Sequence, residues 1–149
     1  MSRLATGVQL RPIDLTDVHV LVVDDHDDTL EFFGVALQQF GANILKARTA
    51  RDALTILRTV RVNAMVSDLA MPGEDGLWLI QQLRRLQYEQ GGSIPAVAVT
   101  AHRDRYAGER VTDLGFEAFL MKPVDHDAVD DRLAWETFND RWPSAERGP

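Results

Sequence analysis

The sequence predicts an α/β protein, a doubly wound parallel sheet of five strands with helices between them. Two observations predict it. Five short apolar runs alternate with five helical patterns along the chain. Most of the runs, the second excepted, are apolar at successive residues, which marks strands buried on both faces of a parallel sheet. Right-handed crossovers between such strands place helices on both sides. With 149 residues the chain is long enough for one domain with a sizeable core.

The elements follow in order. Residues 20–23 read as the first strand. Residues 27–40 carry Leu30, Phe33, Leu37 and Phe40 at spacings of three and four, one face of a helix, and Gly41 stops it. Residues 43–47 read as a second strand. Thr49 is a candidate N-cap for the next helix, with Asp52 three residues on, and Ala53, Leu54 and Leu57 form its inner face. Residues 64–67 are a third strand ending at Asp68. A Pro/Gly turn follows, then a helix lined by Leu79, Ile80, Leu83 and Leu86. Residues 88–93, YEQGGS, read as a loop. Residues 96–99 are a fourth strand ending at Thr100, followed by a more polar helix over 103–114 that Gly115 ends. AFLM is a fifth strand ending at Lys122-Pro123, and a last helix spans 125–138. Residues 1–17 are expected to be an N-terminal extension, 18–139 the domain, and 140–149 a loose tail.

Composition narrows the function classes. Hydrophobic residues make up 45% and charged residues 26%, the balance of an ordinary globular protein. The net charge of −7 disfavours direct nucleic-acid binding, because no basic excess exists to neutralise phosphates. The chain has no cysteine, which excludes disulfides and thiolate metal sites. No apolar run approaches the length of a membrane span or a signal peptide core, so the expected location is the cytoplasm.

The chemistry collects at strand ends. Asp24 and Asp25 follow the first strand, Asp68 the third, Thr100 the fourth and Lys122 the fifth. In a doubly wound sheet these ends share one edge, where the ligand crevice lies. Three carboxylates in one pocket repel one another unless a cation offsets them. Oxygen ligands with no His or Cys at ligand spacing suit a hard ion, Mg²⁺ rather than Zn²⁺. A lysine, a hydroxyl and a carboxylate beside that ion are the parts for phosphoryl transfer.

With the pieces LVVDD, VSDLAMPGEDG, VAVTA and AFLMKP in this order and spacing, the sequence resembles the receiver domain of two-component response regulators over residues 18–138. The resemblance implies a (βα)5 flavodoxin-like fold with strand order 2-1-3-4-5. It implies that Asp68 accepts a phosphoryl group from a phosphohistidine. It further implies that Mg²⁺, with Mn²⁺ as a substitute, is held by Asp25 directly, by Asp24 mostly through water, by Asp68 and by the Ala70 carbonyl. Lys122 would pair with the phosphoryl group, Thr100 would hydrogen-bond it, and Phe119 matches the switch aromatic. Lys122-Pro123 matches a bond that is usually cis in the family, and Met71, Pro72 and Gly76 match the turn after the acceptor, where glycine frees the backbone. In the family the positions of Ala70 and His102 help set the lifetime of the acyl phosphate. The implied partners are a histidine kinase or histidine phosphotransfer protein and a downstream protein target, with a homodimer an open arrangement. The implied output face is helix 4, strand 5 and helix 5. A free-standing regulator and a receiver from a hybrid kinase both fit.

Two other functions compete. Asp25, Asp27 and Thr29 fit the DxDxT signature of haloacid-dehalogenase-like phosphatases, with Asp25 as nucleophile and Asp27 as acid/base. A receiver-like interaction module that never carries phosphate is the third reading. Within DDHDD, His26 is expected at the rim, since a hard ion prefers oxygen. Asp27 is expected to cap the first helix and Asp28 to be solvated. His19 and His126 show no partners at catalytic spacing. In the last helix Val129, Leu133, Ala134 and Phe138 form a packing stripe, and Trp135 with Trp142 forms either a second packed face or an interaction patch.

Overall fold

The computed structural model describes residues 13–101 and 112–122. Five strands are present: β1 (His19–Val23), β2 (Asn43–Ala47), β3 (Ala64–Asp68), β4 (Ala96–Thr100) and β5 (Ala118–Met121). All pairings are parallel, in the order β2-β1-β3-β4-β5, as expected from the sequence. Three helices lie between them: α1 (Asp27–Gln38), α2 (Ala50–Thr59) and α3 (Gly76–Arg85). The helix expected over 103–114, apart from its last three residues, lies outside the described residues. So do the helix over 125–138, Pro123, His102, His126, Trp135, Trp142 and the tail.

The two faces of the sheet are built by alternation along each strand. Val20 and Val22 of β1 join Ala64, Val66, Val97, Val99 and Leu120 under Leu30, Phe33 and Leu37 of α1. Leu21 and Val23 face the other way, with Met65, Ala96 and Ala98, against Ala53, Leu54 and Leu57 of α2 and Leu79, Ile80 and Leu83 of α3. Helices therefore cover both faces, and β1, β3 and β4 are apolar on each side, which is why periodicity alone showed no alternation.

Several boundaries moved for local reasons. α1 ends at Gln38, because Phe40 N–H bonds back to Leu37 O and Gly41 takes φ 98°. α2 begins as expected, with Thr49 accepting from the Asp52 N–H at 3.0 Å. The loop 88–93 contains a 3-10 turn, Tyr88–Gln90, boxed by reciprocal Gln87 and Gln90 side-chain bonds and closed by Gly91 at φ 93°. Leu15 falls in the segment expected to be an extension, yet it is fully buried beside Val18 and Leu37, and its N–H donates to Phe40 O at 2.7 Å. Residues 13–17 thus belong to the packed body, tied by one apolar anchor and one backbone bond. Among the described residues no helix is long and apolar enough to cross a membrane.

One side chain closes the sheet end opposite the strand-end aspartates. The guanidinium of Arg84, on α3, donates to Gly115 O at 2.6 and 3.0 Å, to Gly92 O at 3.0 Å and to Ile94 O at 2.7 Å, and reaches Glu117 at 3.2 Å. It joins α3, the loop before β4 and the entry to β5. Arg84→Ala leaves three partly buried carbonyls without this donor, so we expect a loss of about 2–3 kcal/mol in urea unfolding. Arg84→Lys, which lacks the planar fork, should recover only a small part of it.

Candidate functional site

β1, β3, β4 and β5 are adjacent in the sheet, so their C-terminal ends form one edge. Asp24 directly follows β1, and its N–H donates to Ala47 O at 3.1 Å, which prolongs the sheet by one residue and holds the side chain inward at 1% exposure. Asp68 ends β3, fixed by the Leu69 N–H to Val99 O bond of 3.1 Å. Thr100 ends β4 at 1% exposure, and Lys122 follows β5 with its N–H on Thr100 O at 2.8 Å. Each polar residue is thus held at the sheet edge by main-chain bonds around the strand end that carries it.

Lys122 is the centre of the charge arrangement. Its Nζ lies 3.0 Å from Asp24 Oδ2 and 3.3 Å from Asp68 Oδ2. Asp68 Oδ1 accepts the Ala70 N–H at 3.3 Å, so Ala70 touches the site here through its amide. Burial, and then the charge of Asp24, raise the Asp68 carboxyl above its ordinary value; Lys122 and the Ala70 amide pull the other way without cancelling this. Burial alone would lower the Lys122 ammonium, but Asp24 and Asp68 outweigh it and the net shift is upward. One ammonium therefore serves two buried carboxylates and leaves Asp68 short of positive charge.

Two oxygens show what is missing. Asp24 Oδ2 and Asp25 Oδ1 are buried and receive no hydrogen bond. Lys122 Nζ and His26 Nδ1 stand 3.0 and 3.2 Å from them, at ion-pairing distance. Buried carboxylate oxygens without donors are costly unless a cation satisfies them. Donor atoms from Asp24, Asp25, His26 and Asp68 lie within 4.8 Å of one another. The residues present fit a divalent ion.

The acidic run divides differently from its sequence reading. Asp24 and Asp25 face the pocket, and Asp28 is exposed as expected. Asp27, however, does not cap α1. It is the first helical residue, its carboxylate pairs with Arg48 at 2.9 Å, and the N-cap position is His26, whose side chain makes no capping bond. The His26 N–H is held by Asp24 Oδ1 at 2.9 Å, and the helix starts at Asp27, one residue too early for an Asp27 cap. Asp27 still favours the helix through its charge at the N-terminus. His26 is at the rim, its side chain 66% exposed, but its Nδ1 reaches both Asp24 Oδ1 and Asp25 Oδ1 at 3.2 Å. The only sequence signal for that reach was adjacency to the aspartate pair. Phe119, on β5, is 37% exposed.

Gly76 also differs from expectation. Its backbone is not left-handed; Gly73 holds that role in the turn, at φ 77°. Gly76 is required for space, because a Cβ there would press on the Asp68 carbonyl oxygen and lie 2.8 Å from Leu69 Cα.

Residues 20–134 match the family of response regulator receiver domains. This chain is a response regulator receiver domain. Among similar proteins, an uncharacterized 14.6 kDa protein in the sodA1 3' region of Leptolyngbya boryana is 37% identical, over 74% of this chain and 83% of that one. The transcriptional regulatory protein GlrR of Escherichia coli K12 is 31% identical over 85% of this chain, but the match spans only 29% of GlrR. The solved receiver domain (CheY-like) from Methylobacillus flagellatus superposes with a TM-score of 0.68 at 28% identity, over 80% of this chain and 98% of that one. Receiver membership disfavours the phosphatase alternative, and so does geometry: that reading needs Asp27 beside Asp25 in the pocket, whereas Asp27 is 65% exposed and committed to Arg48.

Proposed function

We propose that this receiver takes a phosphoryl group onto Asp68 from a histidine kinase or histidine phosphotransfer protein in the cytoplasm, and answers by changing its affinity for a downstream protein. The observation that carries this reading is the single Lys122 Nζ standing between Asp24 and Asp68, in a pocket where Asp25 Oδ1 is buried without a hydrogen bond and a further cation would be satisfied. Asp24, Asp25, Asp68 and the Ala70 carbonyl would hold Mg²⁺, or Mn²⁺ in its place. When bound, the ion offsets charge on the aspartates and on the incoming phosphoryl oxygens.

The chain's own part begins with Asp68. An Asp68 oxygen attacks phosphorus, the P–N bond to the donor imidazole breaks, and the electron pair leaves with that nitrogen. The Asp68 backbone is locked at the end of β3, which keeps the carboxylate positioned without reorganisation. Lys122 trades part of its contact with Asp68 for a phosphoryl oxygen, and the Thr100 hydroxyl donates to another. The modification adds about −1.5 to −2 charges at neutral pH, enough to draw Thr100 and Lys122 inward. Phe119, half-exposed on β5, would turn into the space Thr100 vacates, which alters the face that β5 contributes to.

The direct test uses acetyl phosphate or beryllium fluoride with Mg²⁺. A gain of one phosphoryl mass mapped to Asp68, with a change in tryptophan fluorescence, is the expected result. No gain under conditions that load a known receiver would leave an interaction module that never carries phosphate. Lys122→Ala should slow phosphorylation by about 10²–10³-fold, the usual cost of removing one preorganised donor from developing charge. It should also destabilise the metal-free protein, toward the lower end of the about 3–5 kcal/mol typical of a broken buried pair, since Lys122 keeps 18% exposure. Chemical denaturation in EDTA and acetyl phosphate kinetics check the two effects separately.

A further inference from the structure

We propose that His26 is a nitrogen ligand of the cation pocket, which tunes this receiver toward imidazole-binding divalent ions such as Ni²⁺ and Co²⁺ as well as Mg²⁺. This rests on the reading of the pocket as a cation site and adds a donor to it.

Four observations carry the inference. His26 Nδ1 lies 3.2 Å from Asp24 Oδ1 and 3.2 Å from Asp25 Oδ1, on the open side of the pair. Together with a donor from Asp68, these atoms fall within 4.8 Å of one another. An ion with ligands at about 2.1 Å accommodates donors up to about 4.2 Å apart, so shifts of well under about 1 Å, mainly of the exposed His26 and half-buried Asp25, would close the set. The ring's approach is set by the main chain: the His26 N–H donates to Asp24 Oδ1 at 2.9 Å and the residue stands at the N-cap of α1 with φ −102° and ψ 122°. The imidazole is therefore carried by the same carboxylate it would share with the ion.

The imidazole meets the pocket and not the helix: its Nδ1 is within hydrogen-bond distance, 3.2 Å, of Asp24 Oδ1. Its side chain makes no capping bond to α1 and is 66% exposed, so neither the helix start nor the core depends on it. Meanwhile Asp25 Oδ1, 3.2 Å from the ring, is buried and receives no hydrogen bond, and Asp24 Oδ2 faces only the ammonium that Lys122 shares with Asp68. An ion held among these atoms would satisfy both oxygens and replace the Nδ1–H···Asp24 hydrogen bond, with the ring proton on Nε2 and the Nδ1 lone pair free to ligate. Oxygen-only sets suit Mg²⁺, whereas one imidazole adds affinity selectively for later first-row ions.

The test compares Mg²⁺ and Ni²⁺ binding by titration calorimetry on the metal-free full chain, its His26→Ala variant and its Asp25→Asn variant. Co²⁺ absorption and the nitrogen coupling in Cu²⁺ paramagnetic resonance serve as spectroscopic readouts. His26→Ala should weaken Ni²⁺ by about 10–100-fold, as loss of a ligand or its close support does, and leave Mg²⁺ essentially unchanged. The nitrogen coupling should vanish in His26→Ala and in Asp25→Asn alike. Equal weakening of both ions, or equal tightening from a freed carboxylate pair, would overturn the proposal, as would nitrogen coupling that survives either substitution. Mg²⁺ binding with no histidine signature defeats the His26 inference alone. If neither Mg²⁺ nor Ni²⁺ binds, the cation-site reading fails with it. Circular dichroism of His26→Ala should match the parent, because the side chain is solvent-exposed.

Discussion

Asp68→Asn should take up no phosphoryl group from acetyl phosphate and Mg²⁺, where the parent chain gains one by intact-mass measurement. The loss is all-or-none because the amide has no anionic oxygen to attack phosphorus, while the neighbouring geometry survives: Asn can still accept the Ala70 N–H now bonded to Oδ1. A parent-like mass gain in Asp68→Asn would move the acceptor elsewhere, and uptake that instead dies with Asp25→Asn would revive the phosphatase reading. The same substitution should raise the melting temperature in EDTA at neutral pH. The sign follows from the raised carboxyl of Asp68, caused by burial first and the charge of Asp24 second. A raised folded-state value means the folded protein holds the proton more tightly than the unfolded chain. The stability tied to it is therefore fully present below the unfolded value and is lost as pH rises through the folded one. The neutral amide removes that loss, so the two proteins should converge in acid and separate toward neutral pH. Saturating Mg²⁺ should then favour the parent, because the ion binds the folded state with one more carboxylate.

Gly76→Ala should both destabilise the chain and slow its phosphorylation, although it adds a single methyl. The added Cβ meets only backbone: the Asp68 carbonyl oxygen, Leu69 Cα at 2.8 Å and Asp68 C at 3.1 Å. Leu69 is fully buried and the Gly76 N–H is bonded to Leu69 O at 3.0 Å, so neither segment can step aside. Overpacking costs about 1–3 kcal/mol when side chains can adjust, and backbone that cannot yield belongs at or above the top of that range. The displaced atoms carry Asp68 itself, and a shift approaching 1 Å slows a positioned reaction by about 10²-fold. Gly73→Ala is the control. It sits three residues away at φ 77° with open space around it, so it should cost about 1–2 kcal/mol of left-handed strain and leave phosphorylation intact. Urea unfolding and acetyl phosphate kinetics on both variants check the contrast; a Gly76→Ala protein matching its parent in both would refute the steric account.

Most of the fold was legible because its signals are local. The apolar runs at β3, β4 and β5, the Leu79–Ile80–Leu83 face of α3 and the Thr49 cap all report on residues a few positions apart, and the structure keeps them. The pocket was legible too, since strict βα alternation sends every strand's C-terminal end to one edge and so gathers Asp24, Asp68, Thr100 and Lys122. Other features depend on neighbours distant in the chain or on backbone geometry. Leu15 is anchored by Phe40, and Arg84 finds its carbonyls in loops up to 31 residues away. The Gly76 constraint comes from β3 and α3 abutting, where its place in a Pro/Gly turn had suggested conformational freedom.

By itself, then, the sequence determined the layers, the strand-end chemistry and the family, because hydrophobic period and residue type act at short range. Only the tertiary structure decided how the acidic run is used. It puts Asp24 and Asp25 under Lys122 and His26, and turns Asp27 away to Arg48. Charges two or three residues apart look equivalent in a string, but burial and the direction of one helix start make some a candidate cation site and another a surface ion pair.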